Sequence, residues 1–518
     1  MARSVVDIDQ LTVAGIRDGA LGGRSVAVLG LARSGIALAR FFADAGARVT
    51  VYDGRPASEL APAIESLGLR VVELRLGPEV DAASTLAAAD LIATSPSINS
   101  DYPTTEPRLR AVLQAAVAAH RADPASAPAL VSEADLVLRM CPCPTIGVTG
   151  TKGKTTTASL TAVLLATEPA HPVVLGGNIG IPLVERLTEL TAEHRVVIEL
   201  SELQLPTLSR GTTVAVYTNV TADHLDRHGT LEAYRKVKRR LAELVDPNGV
   251  LVLNADDPVV AGYASGATVP VATYRLERPA AGGLGVVDGW IVAAGVMPLL
   301  GRGSPSHGPG EVPIMPIAEL AIPGDHNVSN AMAAMAAASL FGIPPAAMRY
   351  AAAAFAGVEH RLEPVATING VRFVNDSQGT QPDAVIAALR AFSRPLILIA
   401  GGRDKGVDLS GLGPVAAERA DAAILIGESG PALGEMFRAC GLARVELAPS
   451  LESAVHRADA IARELLSEGR AAGSPATVLL SPAAASFDMF VDYEARGRAF
   501  KAAVEALGER RRTAEPAR

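Results

Sequence analysis

A glycine-rich loop between an apolar strand and an apolar-periodic helix constrains this chain more than any other feature. Its sequence is Gly-Val-Thr-Gly-Thr-Lys-Gly-Lys-Thr-Thr, at residues 147–156. In this setting, backbone N–H groups and a helix N-terminus bind phosphate. Lys154 is placed to neutralise the outer phosphates, and the Thr155 hydroxyl to ligate Mg²⁺. Val148 stands where the standard pattern has its first glycine, so the loop is a variant, and a plain glycine turn carrying a lysine is the alternative.

Length and composition narrow the class of protein. The chain has 518 residues, of which 49% are hydrophobic and 20% charged, enough for about three domains. Its net charge is −8 and it has no basic run longer than three residues, as at 510–512, which argues against a nucleic-acid partner. It has no apolar run of about 18 residues and no signal-peptide pattern at its start, so we expect no membrane insertion. Three cysteines are too few for a disulfide framework, and we expect a cytoplasmic protein.

Lysine is rare in this chain. Of the 47 basic residues only six are lysines, and the other basic residues are arginines. One hypothesis is that lysine is retained where the chemistry requires a compact ammonium or an amine that can lose its proton, which arginine cannot do. Chance placement is the alternative. The six are Lys152, Lys154, Lys236, Lys238, Lys405 and Lys501.

The first part of the chain has the pattern of a Rossmann-like unit. A β-run ends at Gly30, a helix follows, and a second β-run ends at Asp53. Only Gly30 and Gly35 remain of the GxGxxG pattern, so NAD is disfavoured. A nucleotide diphosphate fits better, with Asp53 or Arg55 reaching it, and a plain packing turn is the alternative. Ser95 follows a further strand, at the sheet edge where ligands bind.

Polar residues also follow the strands predicted beside the glycine-rich loop. Asn178 lies in a glycine-dense segment, which indicates either a loop against a ligand or a simple turn. Glu199 and His224 follow two β-runs, and acids and histidines in such places suit hard metal ions. Asn254 ends another strand and is placed to hold an adenine or its ribose. The Gly- and Pro-rich stretch 275–316 reads as an excursion or an insert of small strands.

The last third alternates strands and helices and predicts a second doubly wound α/β unit. Polar segments follow three of its strands, at residues 376–380, 401–406 and 481–488. Three polar strand ends on one sheet edge form a binding crevice. The charged tail after Leu507 is predicted to be disordered.

Taken in order, these motifs resemble those of the Mur ligases, the ATP-dependent amide-forming enzymes of peptidoglycan synthesis. The resemblance runs from about Gly23 to Leu507 and rests on seven motifs. They are Thr-Gly-Thr-x-Gly-Lys-Thr, Gly-Gly-Asn-Ile-Gly, Asn-Val-Thr-Ala-Asp-His-Leu-Asp-Arg-His, Asn-Ala-Asp-Asp, Gly-x-x-His-Arg, Asn-Asp-Ser and Ser-Pro-Ala-x-Ala-Ser-x-Asp. Within the family, the glutamate-adding members are the most similar.

The resemblance implies an α/β protein of three domains. A Rossmann-like domain at 1–130 would bind a UDP-linked substrate, a P-loop ATPase-like domain at 131–357 would bind ATP, and a Rossmann-like domain at 358–518 would bind the amino acid. The implied reaction phosphorylates the carboxylate of UDP-MurNAc-L-Ala, and the amine of D-glutamate then attacks the acyl phosphate. A monomer is expected.

Roles carry over by position. The resemblance assigns ATP to Gly150, Thr151, Lys152, Gly153, Lys154, Thr155, Thr156, Asn254, Arg361 and Asp376. It assigns two Mg²⁺ ions to Thr155, Glu199, His224 and Lys238. It assigns the UDP-substrate to Gly30, Arg33, Ser34, Gly35, Asp53, Arg55, Ser95 and Asn178, and the amino acid to Thr380, Lys405, Ser486 and Tyr493. The implied catalytic groups are Lys154, Glu199, His224, Lys238 and His360, with Lys238 carbamylated because an uncharged amine takes up CO₂ to form an anionic ligand.

Three positions depart from the family pattern, and they leave other functions open. Two further alternatives follow from the Rossmann-like scaffold alone. Gln378 replaces a lysine near the amino-acid site, Glu202 replaces a serine, and Ser97 replaces a glycine. These changes leave open a ligase that adds L-glutamate or another amino acid, including one like folylpolyglutamate synthase. A non-catalytic nucleotide-binding regulator and an NAD oxidoreductase are the rivals from other classes.

Overall fold

The computed structural model describes residues 5–102, 104–223, 225–295, 310–322, 324–404, 408–469 and 475–514. The chain forms two compact units, Met1–Phe355 and Ala356–Arg518. Three β-sheets of five, nine and six strands, each with helices between its strands, confirm the predicted α/β class. The predicted limits of the three domains stay predictions. Within the described residues, no helix combines the length and apolar character needed to cross a membrane.

The first sheet is fully parallel, in the order β3-β2-β1-β4-β5. Its elements are α1 (Val13–Arg17), β1 (Ser25–Leu29), α2 (Arg33–Asp44), β2 (Arg48–Asp53), α3 (Ala61–Glu65), β3 (Val72–Leu76), α4 (Ala82–Ala87), β4 (Leu91–Thr94), α5 (Pro107–Ala122) and β5 (Leu130–Ser132). Strand order reverses between β1 and β4, so Gly30 and Ser95 lie at the switch point where such sheets bind ligands.

The second sheet has the order β14-β13-β12-β11-β10-β9-β6-β8-β7. Its first elements are α6 (Glu133–Met140), β6 (Thr145–Thr149), α7 (Lys154–Leu165), β7 (Val173–Gly177), β8 (Arg195–Glu199), β9 (Val214–Tyr217), α8 (Leu225–His228), α9 (Leu231–Leu244) and β10 (Val250–Asn254). Then follow α10 (Pro258–Ala261), β11 (Val271–Tyr274), β12 (Gly283–Val287), β13 (Trp290–Ala294), β14 (Glu311–Pro316), α11 (Asp325–Leu340) and α12 (Pro345–Ala354). β6 is buried along its whole length between β8 and β9, so its carboxyl end positions the glycine-rich loop centrally. Antiparallel β12, β13 and β14 confirm the predicted small-strand insert.

The sheet of the second unit has the order β15-β16-β20-β17-β18-β19 and is parallel except for β15. Its elements are β15 (Glu363–Ile368), β16 (Val371–Asn375), α13 (Pro382–Ala391), β17 (Leu396–Gly401), α14 (Leu412–Arg419), β18 (Ala422–Ile426), α15 (Gly430–Ala439), β19 (Val445–Leu447), α16 (Leu451–Ser467), β20 (Ala476–Leu480) and α17 (Tyr493–Ala514). β16, β20 and β17 are neighbours, which confirms that the three polar strand ends share one edge.

Helix α17 corrects the prediction of a disordered tail. It continues past Leu507 to Ala514. Phe500, Val504 and Leu507 are buried in the core of the second unit. Their spacing of three to four residues forms an apolar stripe that holds the helix on the sheet. Of the charged residues of the tail, Glu509, Arg510 and Arg512 are exposed, and Arg511 pairs with the buried Asp459, so charge density alone was a poor guide to disorder here.

Candidate active site

The glycine-rich loop joins β6 to α7, and its shape requires glycine at two positions. Gly150 and Gly153 have φ angles of +147° and +85°. A Cβ atom on Gly150 would collide with the Thr218 hydroxyl, and one on Gly153 would collide with the Asn330 side chain. A side chain at either position would therefore push the loop off its neighbouring elements, as expected of a loop whose backbone must approach a phosphate closely.

Hydrogen bonds to the loop that follows β9 fix the backbone of the glycine-rich loop. The N–H of Thr151 donates to the Asn219 carbonyl at 2.8 Å, and the N–H of Lys152 donates to Asn219 Oδ1 at 2.9 Å. Lys154 Nζ donates to the Thr151 carbonyl at 2.9 Å. Thr155 is buried in the first turn of α7. The lysine ammonium and the threonine hydroxyl thus lie at a helix N-terminus, a type of position suited to phosphate.

Lys238 lies in the interior directly against this loop. Its side chain is 1% exposed, and its Nζ donates to the Gly150 carbonyl at 2.8 Å. Burial, and secondarily the positive charge of Lys154, lower the pKa of Lys238 to about 7, although the carboxylates of Glu202, Asp223 and Glu199 act in the opposite direction. A substantial fraction of this amine is therefore uncharged at neutral pH, which is the form that can take up CO₂.

Glu199 ends β8 beside the loop. It is 1% exposed, and its Oε1 accepts a hydrogen bond from Asn178 Nδ2 at 2.7 Å. The backbone N–H of Asn178 also donates to the Glu199 carbonyl at 2.9 Å. Oε2 is buried without a hydrogen-bond partner among the described residues. A buried carboxylate oxygen with no donor is suited to a hard cation, and this observation fits Mg²⁺.

The other predicted metal ligand, His224, lies outside the described residues. Across the described ranges, no three His, Cys, Asp or Glu side chains group as a metal site. The predicted ligands are not a cluster of this kind, because two of the four, Thr155 and Lys238, are neither His, Cys, Asp nor Glu. The number of metal ions therefore stays a prediction.

Asn254 connects two strands of the sheet. Its Nδ2 donates to the Thr218 carbonyl at 2.8 Å, and its Oδ1 accepts from the N–H of Asp256 at 2.9 Å. The first bond ties the end of β10 to the end of β9, and the second fixes the turn that follows β10. The side chain is therefore already held by the protein, and its predicted contact with ATP stays a prediction.

The first sheet places its predicted ligand residues around one turn. The N–H of Leu31 donates to Asp53 Oδ2 at 2.8 Å, and the Arg55 guanidinium binds both oxygens of Asp53, at 3.0 and 2.8 Å. Burial would raise the pKa of Asp53, but the hydrogen bonds from Arg55 and Leu31 outweigh it and lower the pKa below its ordinary value. Asp53 is thus a buried anion that fixes the turn after β1.

Glycine is also required where this turn enters α2. A Cβ atom on Gly35 would collide with the Gly30 carbonyl. Arg33 is exposed and Ser34 half-buried in the first turn of α2, and Ser95 is buried after β4. The N–H of Ser95 donates to the Leu29 carbonyl at 3.1 Å. All of the predicted UDP contacts except Asn178 therefore lie around the switch point of the first sheet.

In the second unit, His360 is held by its neighbours. It is 4% exposed and has a φ angle of +63°. Asn375 Nδ2 lies 2.9 Å from His360 Nδ1, which assigns the acceptor role to that nitrogen, and the backbone N–H of His360 donates to Glu363 at 2.9 Å. Burial chiefly lowers the pKa of His360, although Glu359 and Glu363 act against it. A neutral ring with an occupied Nδ1 favours a positioning role.

Asp376 is the buried acid that follows β16. Its Oδ2 accepts from Ser481 Oγ at 2.6 Å, and its Oδ1 accepts from the N–H of Leu362 at 3.2 Å. Burial raises the pKa of Asp376 to about 6, even though these two bonds and the charge of Arg361 favour the anion. The exposed Arg361 lies next to Leu362 in the chain.

The predicted amino-acid contacts follow the same group of strands. The N–H of Thr380 donates to the Gln378 carbonyl at 2.8 Å, and Ser486 is 3% exposed after β20. Tyr493 begins α17, and its carbonyl accepts from Ser377 Oγ at 2.7 Å. Lys405 lies outside the described residues.

Three family models cover most of the chain. Residues 24–120 match the Mur ligase MurD-like N-terminal domain, residues 148–338 the Mur ligase middle domain, and residues 360–484 the Mur ligase glutamate ligase domain. This chain belongs to the Mur ligase family. It is an ATP-dependent, amide-forming ligase, as predicted, and the regulator and oxidoreductase alternatives are set aside.

Relatives of this Mur ligase align over nearly their whole length. The UDP-N-acetylmuramoylalanine–D-glutamate ligase of Symbiobacterium thermophilum is 39% identical over 93% of this chain and 98% of the relative. Proteins of the same name from Geotalea uraniireducens and Geobacter metallireducens are 37% and 38% identical, each over 94% of this chain and 98% of the relative. The likeness to the glutamate-adding members is confirmed.

Solved structures support the fold. MurF from Acinetobacter baumannii is 15% identical with a TM-score of 0.53, covering 96% of this chain and 98% of that one. The UDP-N-acetylmuramate-alanine ligase MurC from Thermotoga maritima is 17% identical with a TM-score of 0.51, covering 93% and 99%. At these identities the likeness shows the architecture alone.

Arg496 is a residue of this Mur ligase that the sequence analysis missed. It is 1% exposed and is the largest fully buried side chain among the described residues. It lies on α17 beneath the loops that carry the predicted amino-acid contacts. The sequence around it is rich in charged residues, so nothing local distinguishes a buried arginine from an exposed one.

Proposed function

We propose that this Mur ligase joins the amine of D-glutamate to the carboxylate of UDP-MurNAc-L-Ala at the expense of ATP, in the synthesis of the peptidoglycan precursor. The relatives that align over 93–94% of this chain carry that activity in their name. A carboxylate is a poor electrophile because its oxygen is a poor leaving group. Transfer of the terminal phosphoryl group of ATP to that oxygen gives an acyl phosphate, from which inorganic phosphate leaves when the amine attacks.

One observation carries the chemistry of the first step. Burial brings the pKa of Lys238 to about 7, and its amine contacts the backbone of the glycine-rich loop. Nearby in the same unit, Glu199 presents an oxygen that has no hydrogen-bond partner among the described residues. Thr155 and Glu199 would hold one Mg²⁺, and His224 and a carbamylated Lys238 a second. Bound there, Mg²⁺ neutralises the charge of the phosphates and of the incoming carboxylate.

The chain's own groups would perform the remaining work in the first unit. Lys154 and the backbone N–H groups of the loop hold the outer phosphates of ATP. The turn fixed by Asp53 holds the uridine diphosphate, and Asn178 contacts the same substrate. Because two anions must meet, these donors reduce their repulsion as well as orient them.

The second unit would bind the amino acid. Thr380, Ser486 and Tyr493, together with Lys405, would hold the two carboxylates of glutamate, which leaves its amine free to react. Charge-assisted hydrogen bonds to carboxylates are short and strong, so this donor set suits a dicarboxylic amino acid. The monomeric state and the cytoplasmic location stay predictions.

Product analysis with each glutamate enantiomer tests the proposal. Enzyme, ATP, Mg²⁺ and UDP-MurNAc-L-Ala are incubated with D- or L-glutamate, and products are resolved by liquid chromatography and mass spectrometry. We expect the glutamyl product and phosphate release with D-glutamate only. Product with L-glutamate only would support the L-glutamate alternative left open by Gln378, and no product with either would overturn the proposed reaction.

A further inference from the structure

Arg496 occupies an unusual environment for a cation. Its guanidinium is buried, yet no carboxylate oxygen of the described residues lies within 4.0 Å of it. Burial lowers the pKa of Arg496 to about 10, and the more distant Asp488 acts in the opposite direction. The side chain is therefore charged at neutral pH. An unpaired buried charge is costly and needs a compensating reason.

All of the side-chain hydrogen bonds of Arg496 go to two loops at the carboxyl edge of the sheet. Nε donates to Ser377 Oγ and Nη2 to the Ser377 carbonyl, both at 3.0 Å. Nη1 donates to the carbonyls of Ala484 and Ala485 at 3.3 Å, and Nη2 lies at the same distance from the Ala484 carbonyl. One guanidinium thus clamps the loop after β16 to the loop after β20.

A third loop joins this clamp. The N–H of Arg403 donates to the Ala485 carbonyl at 2.9 Å, and the N–H of Ala485 donates back to the Arg403 carbonyl at 3.2 Å. A Cβ atom on Gly402 would lie 3.1 Å from Arg496 Nη1, tighter than an ordinary contact. The guanidinium therefore lies beneath the ends of β16, β20 and β17 together.

The predicted amino-acid contacts are the immediate neighbours of the clamped atoms. Ser486 follows Ala485, and Thr380 lies three residues after Ser377. Ser377 Oγ, which accepts from Arg496, itself donates to the Tyr493 carbonyl. No carboxylate of the described residues pairs with the charge beneath these loops, and Asp488 acts on it only from a distance, so it favours an anionic ligand above them.

We infer that Arg496 is a positioning residue for the amino-acid site: it holds three ligand-binding loops in register and supplies the buried positive charge that selects an amino acid with two carboxylates. This inference rests on the proposed function. It also explains why Gln378 can replace the lysine found in the family. The Arg496 guanidinium supplies a positive charge below the same loop.

Steady-state kinetics of two Arg496 variants test the inference. Arg496→Met keeps much of the side-chain volume but removes the charge and every donor, and Arg496→Lys keeps the charge. We expect Arg496→Met to raise the KM for D-glutamate by about tenfold or more while the KM values for ATP and UDP-MurNAc-L-Ala stay within about twofold. Arg496→Lys should recover part of the loss. The matched control is Arg498→Met on the same helix, where the arginine is 58% exposed and pairs with Glu494.

Competition with glutamine separates charge selection from general damage. D-Glutamine lacks the second carboxylate but keeps the size of glutamate. We expect the ratio of kcat/KM for D-glutamate over D-glutamine to fall in Arg496→Met and to be largely restored in Arg496→Lys. Two results would overturn the inference. One is an equal rise in the KM values for D-glutamate, ATP and UDP-MurNAc-L-Ala, and the other is an unchanged ratio of kcat/KM for D-glutamate over D-glutamine. If Arg496→Met does not fold, Arg496→Lys provides the test by itself. An Arg496→Lys enzyme with an unaltered KM for D-glutamate and an unaltered kcat/KM ratio would contradict the inference. A wild-type enzyme that forms no glutamyl product would instead count against the proposed function.

Discussion

Lys238 Nζ donates a hydrogen bond to the carbonyl oxygen of Gly150 at 2.8 Å, in the interior of the first unit. This contact brings the one buried lysine of helix α9 to the loop predicted to hold ATP. Two residues earlier on the same helix, Lys236 is exposed to solvent. The two lysines therefore form a matched pair for testing what burial does.

We predict that Lys238→Ala lowers kcat by at least about a hundredfold, because an anionic ligand formed from this amine would be lost. Short carboxylic acids such as formate or acetate should restore part of the activity by supplying a carboxylate in the same space. Lys236→Ala should behave like the wild type. Full activity of Lys238→Ala, or an inactive variant that no carboxylate rescues, would contradict the carbamate role.

Asp53 offers a test of the UDP-substrate site. Asp53→Ala removes the acceptor for the Leu31 N–H and for three donors of Arg55, its backbone N–H, Nε and Nη2, so the turn after β1 loses its anchor. We expect the KM for UDP-MurNAc-L-Ala to rise by about tenfold or more with little change in the KM for glutamate. Asp44→Ala is the control, since Asp44 pairs with Arg70 at the surface of the same domain and is 58% exposed. An equal change in both KM values would show general damage to the fold.

Asp376 predicts a specific pH dependence of stability. The unfolded chain titrates this acid near pH 3.8, whereas the folded chain keeps its proton until about pH 6. The folded state binds more protons in this window, so ionisation of Asp376 costs stability as pH rises through it. The cost is at most about 3 kcal/mol for a shift of this size.

Thermal unfolding of Asp376→Asn measures this cost. The Tm of the variant relative to the wild type should rise as pH increases from 3.8 to about 6 and then level off. Glu435→Gln, which alters an exposed acid on α15, should follow the wild type throughout. A constant difference between Asp376→Asn and the wild type across this window would show that Asp376 does not keep a raised pKa.

Local patterns in the sequence predicted much of the fold and part of the site. The glycine-rich loop, the acid at the end of β8 and the three polar strand ends each depend on residues close together in the chain. Lys238 also left a local signal, because Tyr234, Lys238 and Leu241 are buried on one helical face while Lys236 is not.

The remaining features depend on contacts between distant segments. Arg496 and Ser377 are 119 residues apart in the chain, and Asn178 and Glu199 are 21 apart. The burial of Arg496 follows from the packing of α17 on the sheet. The sequence of α17 is rich in charged residues and therefore did not indicate this packing. Glu202, which departs from the family pattern, forms a salt bridge with Arg227 at 2.7 Å. The two residues are distant in the chain, so only the fold reveals this partner.

Transfer of heavy oxygen tests the central claim most directly. UDP-MurNAc-L-Ala labelled with heavy oxygen in its terminal carboxylate is incubated with the enzyme, ATP, Mg²⁺ and D-glutamate, and the released phosphate is analysed by mass spectrometry. If the carboxylate is activated as an acyl phosphate, one labelled oxygen must leave with each phosphate as the amide forms. Amide product accompanied by unlabelled phosphate would contradict the account.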